Sequence, residues 1–226
     1  MPKKGLNMLK KSEPIEEALK QGASSFGVIL KEKQTEQLLK YITLLNKWNQ
    51  HFNLTAFREL NRLLSHQVLD SLSILSWVKG ARHILDVGSG GGAPGLPLAV
   101  LLPEAEFTLL DASSKKTTFL LQAKMELALD NVQVVHSRVE NTNHPQFQII
   151  LSRAFADLSD FVHLSVHLLA PGGMWLAMKG TYPYEEIKAL PPEISVEKVE
   201  TLHVPGVKAE RHIVRLRPHT LKGVKG

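Results

Sequence analysis

Between Gln37 and Trp48 apolar side chains recur at Leu38, Tyr41, Ile42, Leu45 and Trp48, three or four residues apart. That spacing lays a single apolar stripe along a helix, so the segment is predicted to be helical with one buried face. A polar break follows at His51-Phe-Asn-Leu-Thr-Ala-Phe57. Leu63, Leu64, Val68, Leu69, Leu72 and Leu75 then predict a second amphipathic helix, ending near Lys79-Gly80, where glycine suits the position after a helix. A shorter helix is predicted over residues 15–20.

From residue 82 the rhythm changes. Short β-type runs at 83–87, 107–111, 132–136, 148–152 and 174–178 alternate with helical stretches near 96–102, 115–129 and 158–169. Pro171-Gly172-Gly173 reads as the stop of the last helix. Strand–helix alternation predicts an α/β fold, a doubly wound and mostly parallel sheet covered on both faces. Two further runs, 195–204 and 211–216, predict antiparallel pairing at one sheet edge. The chain therefore divides into a basic helical extension (1–80), a sheet domain (81–218) and a basic tail (219–226).

Composition narrows the possibilities. The 226 residues, 43% apolar and 22% charged, suffice for one large domain with a sizeable core. The absence of cysteine excludes a disulfide scaffold, a thiolate zinc site and a cysteine nucleophile. No apolar run approaches the roughly 18 residues of a membrane span, and Met1-Pro-Lys-Lys-Gly-Leu6 leads into no signal-type hydrophobic region. A soluble, cytoplasmic protein without a membrane partner is expected. The net charge of +5 is unevenly laid out. Residues 1–80 carry 12 Lys/Arg against 7 Asp/Glu, residues 81–210 carry 10 against 15, and residues 211–226 carry 5 against none. Basic flanks around an acidic middle fit an enzyme domain that grips a polyanion by its ends, and equally fit termini that merely aid solubility.

The chemistry concentrates at Asp86-Val-Gly88-Ser-Gly90-Gly91-Gly92-Ala93-Pro-Gly95, between a predicted strand and a predicted helix. Glycines there let backbone approach a ligand closely. The next strand ends in Asp111, 23 positions beyond Gly88, where a carboxylate can accept hydrogen bonds from both hydroxyls of a ribose. Together these features point to a bound nucleoside. Gly88-x-Gly90-x-x-Ala93 is also compatible with a dinucleotide fingerprint. Asp86, however, suits an ammonium group better than a pyrophosphate, and Pro94 and Pro97 lengthen the loop. S-adenosyl-L-methionine is preferred over NAD.

A more specific resemblance rests on Leu45-Asn-Lys-Trp48-Asn49-Gln-His-Phe52-Asn53-Leu54-Thr55, His66-Gln-Val-Leu-Asp70-Ser71-Leu72, the glycine loop, Phe107-Thr-Leu-Leu-Asp111, Ser137-Arg-Val-Glu140, Ser152-Arg153-Ala-Phe155 and Glu210-Arg211-His212. In this order, over residues 30–216, the chain resembles the bacterial ribosomal RNA small-subunit methyltransferase G family, also called glucose-inhibited division protein B. The resemblance implies a class I methyltransferase fold, S-adenosylmethionine as cofactor, and methylation of N7 of a guanosine in 16S ribosomal RNA, with the RNA or the small ribosomal subunit as partner. It implies cofactor contacts at Gly88, Ala93, Val139, Glu140 and Arg153, beside Asp86, Gly90 and Asp111 from the loop argument. Two departures stand out: Ala93 replaces an expected leucine, and Ser65 an expected arginine. His66, Asp70 and Arg153 are candidates for the acceptor side, His66 and Asp70 because they lie four apart on one helical face. His163 and His167 share that spacing but lack a metalloprotease glutamate, so no metal site is expected. Trp48 lies on the apolar stripe and is read as core. The rival classes are a nicotinamide-dependent oxidoreductase and a non-catalytic ribosome-assembly factor; the intact glycine loop argues against the latter.

Overall fold

The computed structural model describes residues 6–143 and 145–219. Of the tail expected at 219–226, only His219 falls inside that range; Lys222 and Lys225 lie outside it. The chain opens with α1 (Leu6–Ser24) and α2 (Glu32–Phe52). The predicted stripe of α2 is its buried face, since Leu38, Tyr41, Ile42 and Leu45 are withdrawn from solvent. Gln34 reaches back to accept the Lys31 N–H (3.0 Å), and Asn53 ends the helix in left-handed geometry (φ 48°), which asparagine tolerates better than most residues.

The helix predicted over residues 63–75 is present but not regular. It runs as α3 (Leu60–Leu63), a π-helical stretch (Leu64–Leu69) and α4 (Asp70–Leu72), and a separate turn, α5 (Leu75–Val78), follows. Residues 67–72 are all buried, more than one α-helical stripe can cover. The wider turn accommodates this, because the segment packs against α1, α2 and the strand ends at once. Side chains bond carbonyls four residues earlier, as when a helical ladder is loosened: Ser65 Oγ to Asn61 O (2.8 Å), His66 Nδ1 with Arg62 O (3.0 Å) and Ser71 Oγ to Gln67 O (2.5 Å).

The sheet elements are β1 (His83–Val87), α6 (Gly95–Leu101), β2 (Glu106–Asp111), α7 (Ser114–Leu127), β3 (Val132–His136), β4 (Phe147–Arg153), α8 (Leu158–Ser165), β5 (Leu169–Lys179), α9 (Tyr184–Lys188), β6 (Ile194–Thr201) and β7 (His212–Pro218). The strand order is β3-β2-β1-β4-β5-β7-β6. β1 to β5 are parallel, and β7 runs antiparallel between β5 and β6. The helix predicted over 158–169 is α-helical to Ser165 and continues as a 3-10 turn over Val166–Leu168, and β5 begins at Leu169 rather than 174. Its pairing jumps from Phe147↔Leu169 to Ile149↔Met174, so Pro171, Gly172 (φ 74°) and Gly173 sit in a bulge, where proline and glycine are accommodated without a ladder bond. The short α9 has no counterpart in the sequence pattern.

Alternation along the strands splits the core between two faces. Ile84, Ile149, Leu151 and Leu176 pack with Leu19, Leu38, Leu45, Leu69, Leu96 and Phe119 in one continuous apolar cluster. The helices before residue 80 thus share a core with the sheet and form one of its covering layers. The opposite face buries Leu85, Val87, Ile150, Trp175 and Val214 under Leu158 and Phe161 of α8. No helix among the described residues is long and apolar enough to cross a membrane.

Order changes between β1 and β4, so the loops after these two strands diverge over the C-terminal edge of the sheet, where open α/β sheets place ligands. On the far edge Asn131 Nδ2 faces the carbonyls of Ala99 (3.1 Å), Leu102 (3.1 Å) and Ala105 (3.0 Å), closing the end of α6. Asn131→Ala should lower unfolding free energy by about 1–3 kcal/mol, because these carbonyls lose their donor. Urea denaturation measures it, and a loss below about 0.5 kcal/mol would mean that water replaces the amide.

Candidate functional site

Two clefts open at the C-terminal edge, with Ala154 lining both. The first, about 300 Å³, is lined by Gly88, Asp111, Lys116, Arg138, Val139, Glu140 and Phe155 among others. Four residues expected to hold a cofactor, Gly88, Asp111, Val139 and Glu140, thus meet in one place. Gly88, Gly90 and Gly92 have φ of 72°, 54° and 90°, a region in which a side chain is strained. A Cβ on Gly88 would come within 2.9 Å of the Phe155 ring, whereas one on Gly90 would meet nothing nearer than 3.7 Å.

The remaining expected residues shape the loop from beneath. Asp86 is 1% exposed, and its Oδ2 accepts the Gly95 N–H at 3.0 Å at the start of α6; it is not among the residues lining the cleft. Ala93 is buried behind the loop. Gly90 donates its N–H to Asp111 Oδ2 (3.0 Å), and Ser113 donates to Asp111 Oδ1 (2.9 Å), so Asp111 ties the glycine loop to the end of β2. From the other side the Tyr41 hydroxyl donates to Gly91 O (2.6 Å), and burial holds that phenol well above its ordinary pKa.

The second cleft, about 330 Å³, is lined by Thr55, Phe57, His66, Gln67, Asp70, Arg153, Met178, Lys179, Gly180 and Arg211 with Ala154. It brings together the three acceptor-side candidates, His66, Asp70 and Arg153, from the π-helical segment, α4 and the end of β4. Asp70 is 1% exposed and shared by two guanidiniums, Arg153 at 3.1 Å and Arg211 at 3.2 Å. Arg153 also donates to His66 O (2.5 Å) and Gln67 Oε1 (2.6 Å), and it does not line the first cleft. Gln67 passes the network on through its Nε2 to Thr55 Oγ1 (3.1 Å). Asn49 Oδ1 accepts the Thr55 N–H (2.9 Å), and Asn49 Nδ2 donates to Phe57 O (2.9 Å). The polar run after α2 is therefore a turn held by hydrogen bonds from the buried Asn49 and Gln67 side chains, beside the end of β4. The His66 ring lies against Phe57 at 3.9 Å, and burial lowers its pKa, helped by the cations of Arg211 and Arg62.

Sequence reasoning missed Arg211, Gln67 and Lys179. Arg211 belongs to the Glu210-Arg211-His212 run of the resemblance, which by itself assigns it no partner at the site. Lys179 ends β5 and donates to Glu186 (2.6 Å) and Ala156 O (2.8 Å). Trp48 packs half-buried, edge-on to Phe119, and donates to Gln122 Oε1 (3.1 Å). His167 faces Thr142 O (3.2 Å), and among the described residues no three His, Asp or Glu side chains cluster as a metal's ligands would.

Two predictions follow from these charges. Asp70→Ala leaves two guanidiniums facing each other. Because Arg153 and Arg211 keep 24% and 20% of their side chains exposed, the loss should be about 2–3 kcal/mol, below the 3–5 kcal/mol of a fully buried pair. Denaturant unfolding of this variant beside Asp70→Asn measures it, and an unchanged midpoint would show the pair to be energetically idle. The second concerns Asp86, whose carboxyl burial pushes up to about 7, against the opposing Gly95 hydrogen bond. An unfolded aspartate titrates near 4, so between about pH 4 and 7 the folded chain holds the extra proton. That contribution to stability is present in acid and lost as pH rises through about 7. Asp86→Asn keeps the acceptor for Gly95 and cannot ionise. Its stability relative to the parent should rise from pH 5 to pH 8.5, by at most about 1.4 kcal/mol per unit. A constant difference over that range would show that the carboxylate ionises without penalty.

The comparisons with known proteins agree with this architecture. The profile described as rRNA small subunit methyltransferase G matches residues 34–214. The ribosomal RNA small subunit methyltransferase G of Neisseria meningitidis serogroup B is 52% identical over 200 residues, which is 88% of this chain and 97% of that protein. The enzyme of the same name from Laribacter hongkongensis is 53% identical over 203 residues, covering 89% and 98%. Among solved structures, a putative O-methyltransferase from Klebsiella pneumoniae aligns with a TM-score of 0.54 at 14% identity, covering 79% of this chain and 89% of that one. The mitomycin 7-O-methyltransferase MmcR aligns at 0.57 and 16%, covering 82% and 67%. These structural likenesses establish a methyltransferase-type fold. The match over residues 34–214, together with near-complete relatives of about half-identical sequence, places the chain in the rRNA small subunit methyltransferase G family.

Proposed function

We propose that the protein is a cytoplasmic methyltransferase that uses S-adenosyl-L-methionine to methylate N7 of a guanosine in 16S ribosomal RNA. The observation that carries the reading is the pair of clefts meeting at Ala154: one built like a nucleoside cradle, the other lined by arginines and by the Phe57–His66 stack. The donor set fits the cofactor. Asp111 stands at the end of β2 with a carboxylate suited to ribose hydroxyls, and Gly88 brings bare backbone to the cleft. Val139 and Glu140 line the same cleft and would meet the adenine, with the Phe155 ring as an apolar wall. Asp86, Gly90 and Ala93 act by shaping the loop.

When bound, S-adenosylmethionine supplies a methyl group on a positively charged sulfur, open to attack by a lone pair. Guanine N7 carries such a lone pair and no proton, so the chain need not provide a general base. Its residues hold the acceptor in line and exclude water. His66, with its pKa lowered, is neutral at pH 7 and orients rather than charges the acceptor. Arg153 is held by three acceptors, which suits a positioning role. The excess of guanidinium over carboxylate around Asp70 favours phosphates nearby.

The test is transfer of labelled methyl from S-adenosylmethionine to small ribosomal subunits isolated from a strain lacking the enzyme. Mass spectrometry should locate one new methyl group on a guanine N7. Single-turnover rates of the pre-bound complex should stay nearly flat from about pH 6 to 9. A rate rising tenfold per pH unit would indicate an exocyclic amine or a ribose hydroxyl as acceptor and would sink the N7 assignment.

A further inference from the structure

We infer that Tyr182 and Tyr184 form a stacking platform for an unpaired RNA base neighbouring the target guanosine, an inference that rests on the RNA-methyltransferase reading. β5 ends at Lys179, and both Lys179 and Gly180 line the acceptor-side cleft. Two residues on, the Tyr182 ring lies 4.2 Å from that of Tyr184, with 35° between their planes. Tyr182 also meets His212 edge-on at 5.6 Å, and His212 Nδ1 faces Gly180 O at 3.3 Å. His212 directly follows Arg211, another cleft residue. The tyrosine pair is thus moored to the cleft rim from both β5 and β7.

The rings are not there to fill the core. Tyr184 is 65% exposed and Tyr182 37%, and neither belongs to either apolar cluster. One exposed aromatic residue is ordinary, but two exposed rings in contact, two residues beyond the lining of a charged cleft, form an apolar surface that water solvates poorly. Their surroundings select the ligand. Arg62 lies 4.9 Å over the ring of Phe57, a cleft residue, and among the described residues neither Arg58 nor Arg62 has a carboxylate within ion-pair distance. Lining the cleft, Arg153, Arg211 and Lys179 outnumber Asp70 and Glu186, their ion-pair partners. Cations lining the cleft, beside a pair of exposed tyrosine rings, match single-stranded nucleic acid, whose phosphates pair with arginine and whose splayed bases stack on aromatic side chains. A base pair inside a duplex offers its edges, not its faces, so the occupant is an unpaired base.

The test compares Tyr184→Ala, Tyr184→Leu and Tyr184→Phe in equilibrium binding of the full chain to small subunits and to protein-free 16S ribosomal RNA, with S-adenosylhomocysteine present. Loss of the ring in the Ala and Leu variants should weaken binding to both RNAs about tenfold, while the Phe variant stays within about twofold of the parent. Affinity for S-adenosylhomocysteine and the melting temperature should be unchanged. Parent-like binding by the Ala variant, or a Leu variant equal to the Phe variant, overturns the stacking role. A loss seen on subunits and not on protein-free RNA also overturns it, and would mean that the rings dock on a ribosomal protein. Methyl transfer by the parent chain is measured separately: its absence removes the proposed activity, whereas an active parent with indifferent tyrosine variants removes only the platform.

Discussion

Asp70 is a carboxylate withdrawn almost entirely from water, and such a group is tolerable only where cations and donors replace the lost hydration. Here the replacement comes from Arg153 and Arg211. These residues are remote in sequence: Asp70 closes the π-helical segment, Arg153 ends β4, and Arg211 precedes β7. Meeting at one acid fixes the relative positions of an N-terminal helix, a central strand end and a late strand. From Arg153 the same network continues through Gln67 and Thr55 to Asn49, so the turn after α2 inherits its position from the pair. The cleft lined by His66, Asp70 and Arg153 is the space these constraints leave open.

The opposite cleft obeys a different rule. Its glycine loop carries little side chain, so its shape must be imposed from outside. Asp111 grips it at Gly90, Asp86 anchors its exit at Gly95, and the Tyr41 hydroxyl holds Gly91 from α2. Two of these three anchors are acidic, and Asp86 is so deeply buried that its proton affinity rises far above that of a free aspartate. Between the clefts, Ala154 takes a left-handed φ of 57°, a strained choice for alanine that turns Arg153 and Phe155 to opposite sides of the ridge.

Much of the fold was legible because periodicity is a local signal. The strand–helix alternation, the glycine loop, Asp111 and the paired final strands all appear in the sequence near their observed bounds. The π-helical stretch was not, since residues 64–69 have an ordinary amphipathic pattern and the widening answers packing on several sides. Pro171-Gly-Gly read as a helix stop because a bulge and a stop use the same residues, and only the pairing with β4 tells them apart. At the site, His66, Asp70 and Arg153 could be named singly, but their union depends on Arg211, 141 positions from Asp70. The Glu210-Arg211-His212 run marks the arginine but does not say which distant acid it meets. Asp86 posed the reverse difficulty: its place beside the loop suggested a ligand contact, while its burial shows an internal brace.

The placement of β7 has a bearing on biosynthesis. The final strand lies inside the sheet, with β6, made earlier, outside it. Until β7 inserts, β5 presents an unpaired edge and β6 has no partner on the sheet. The residue that completes the charge pair at Asp70 arrives with the same strand. A nascent chain can therefore assemble the glycine-loop half while Asp70 still lacks one of its two guanidiniums. The second cleft takes its final charge balance only once β7 is in place.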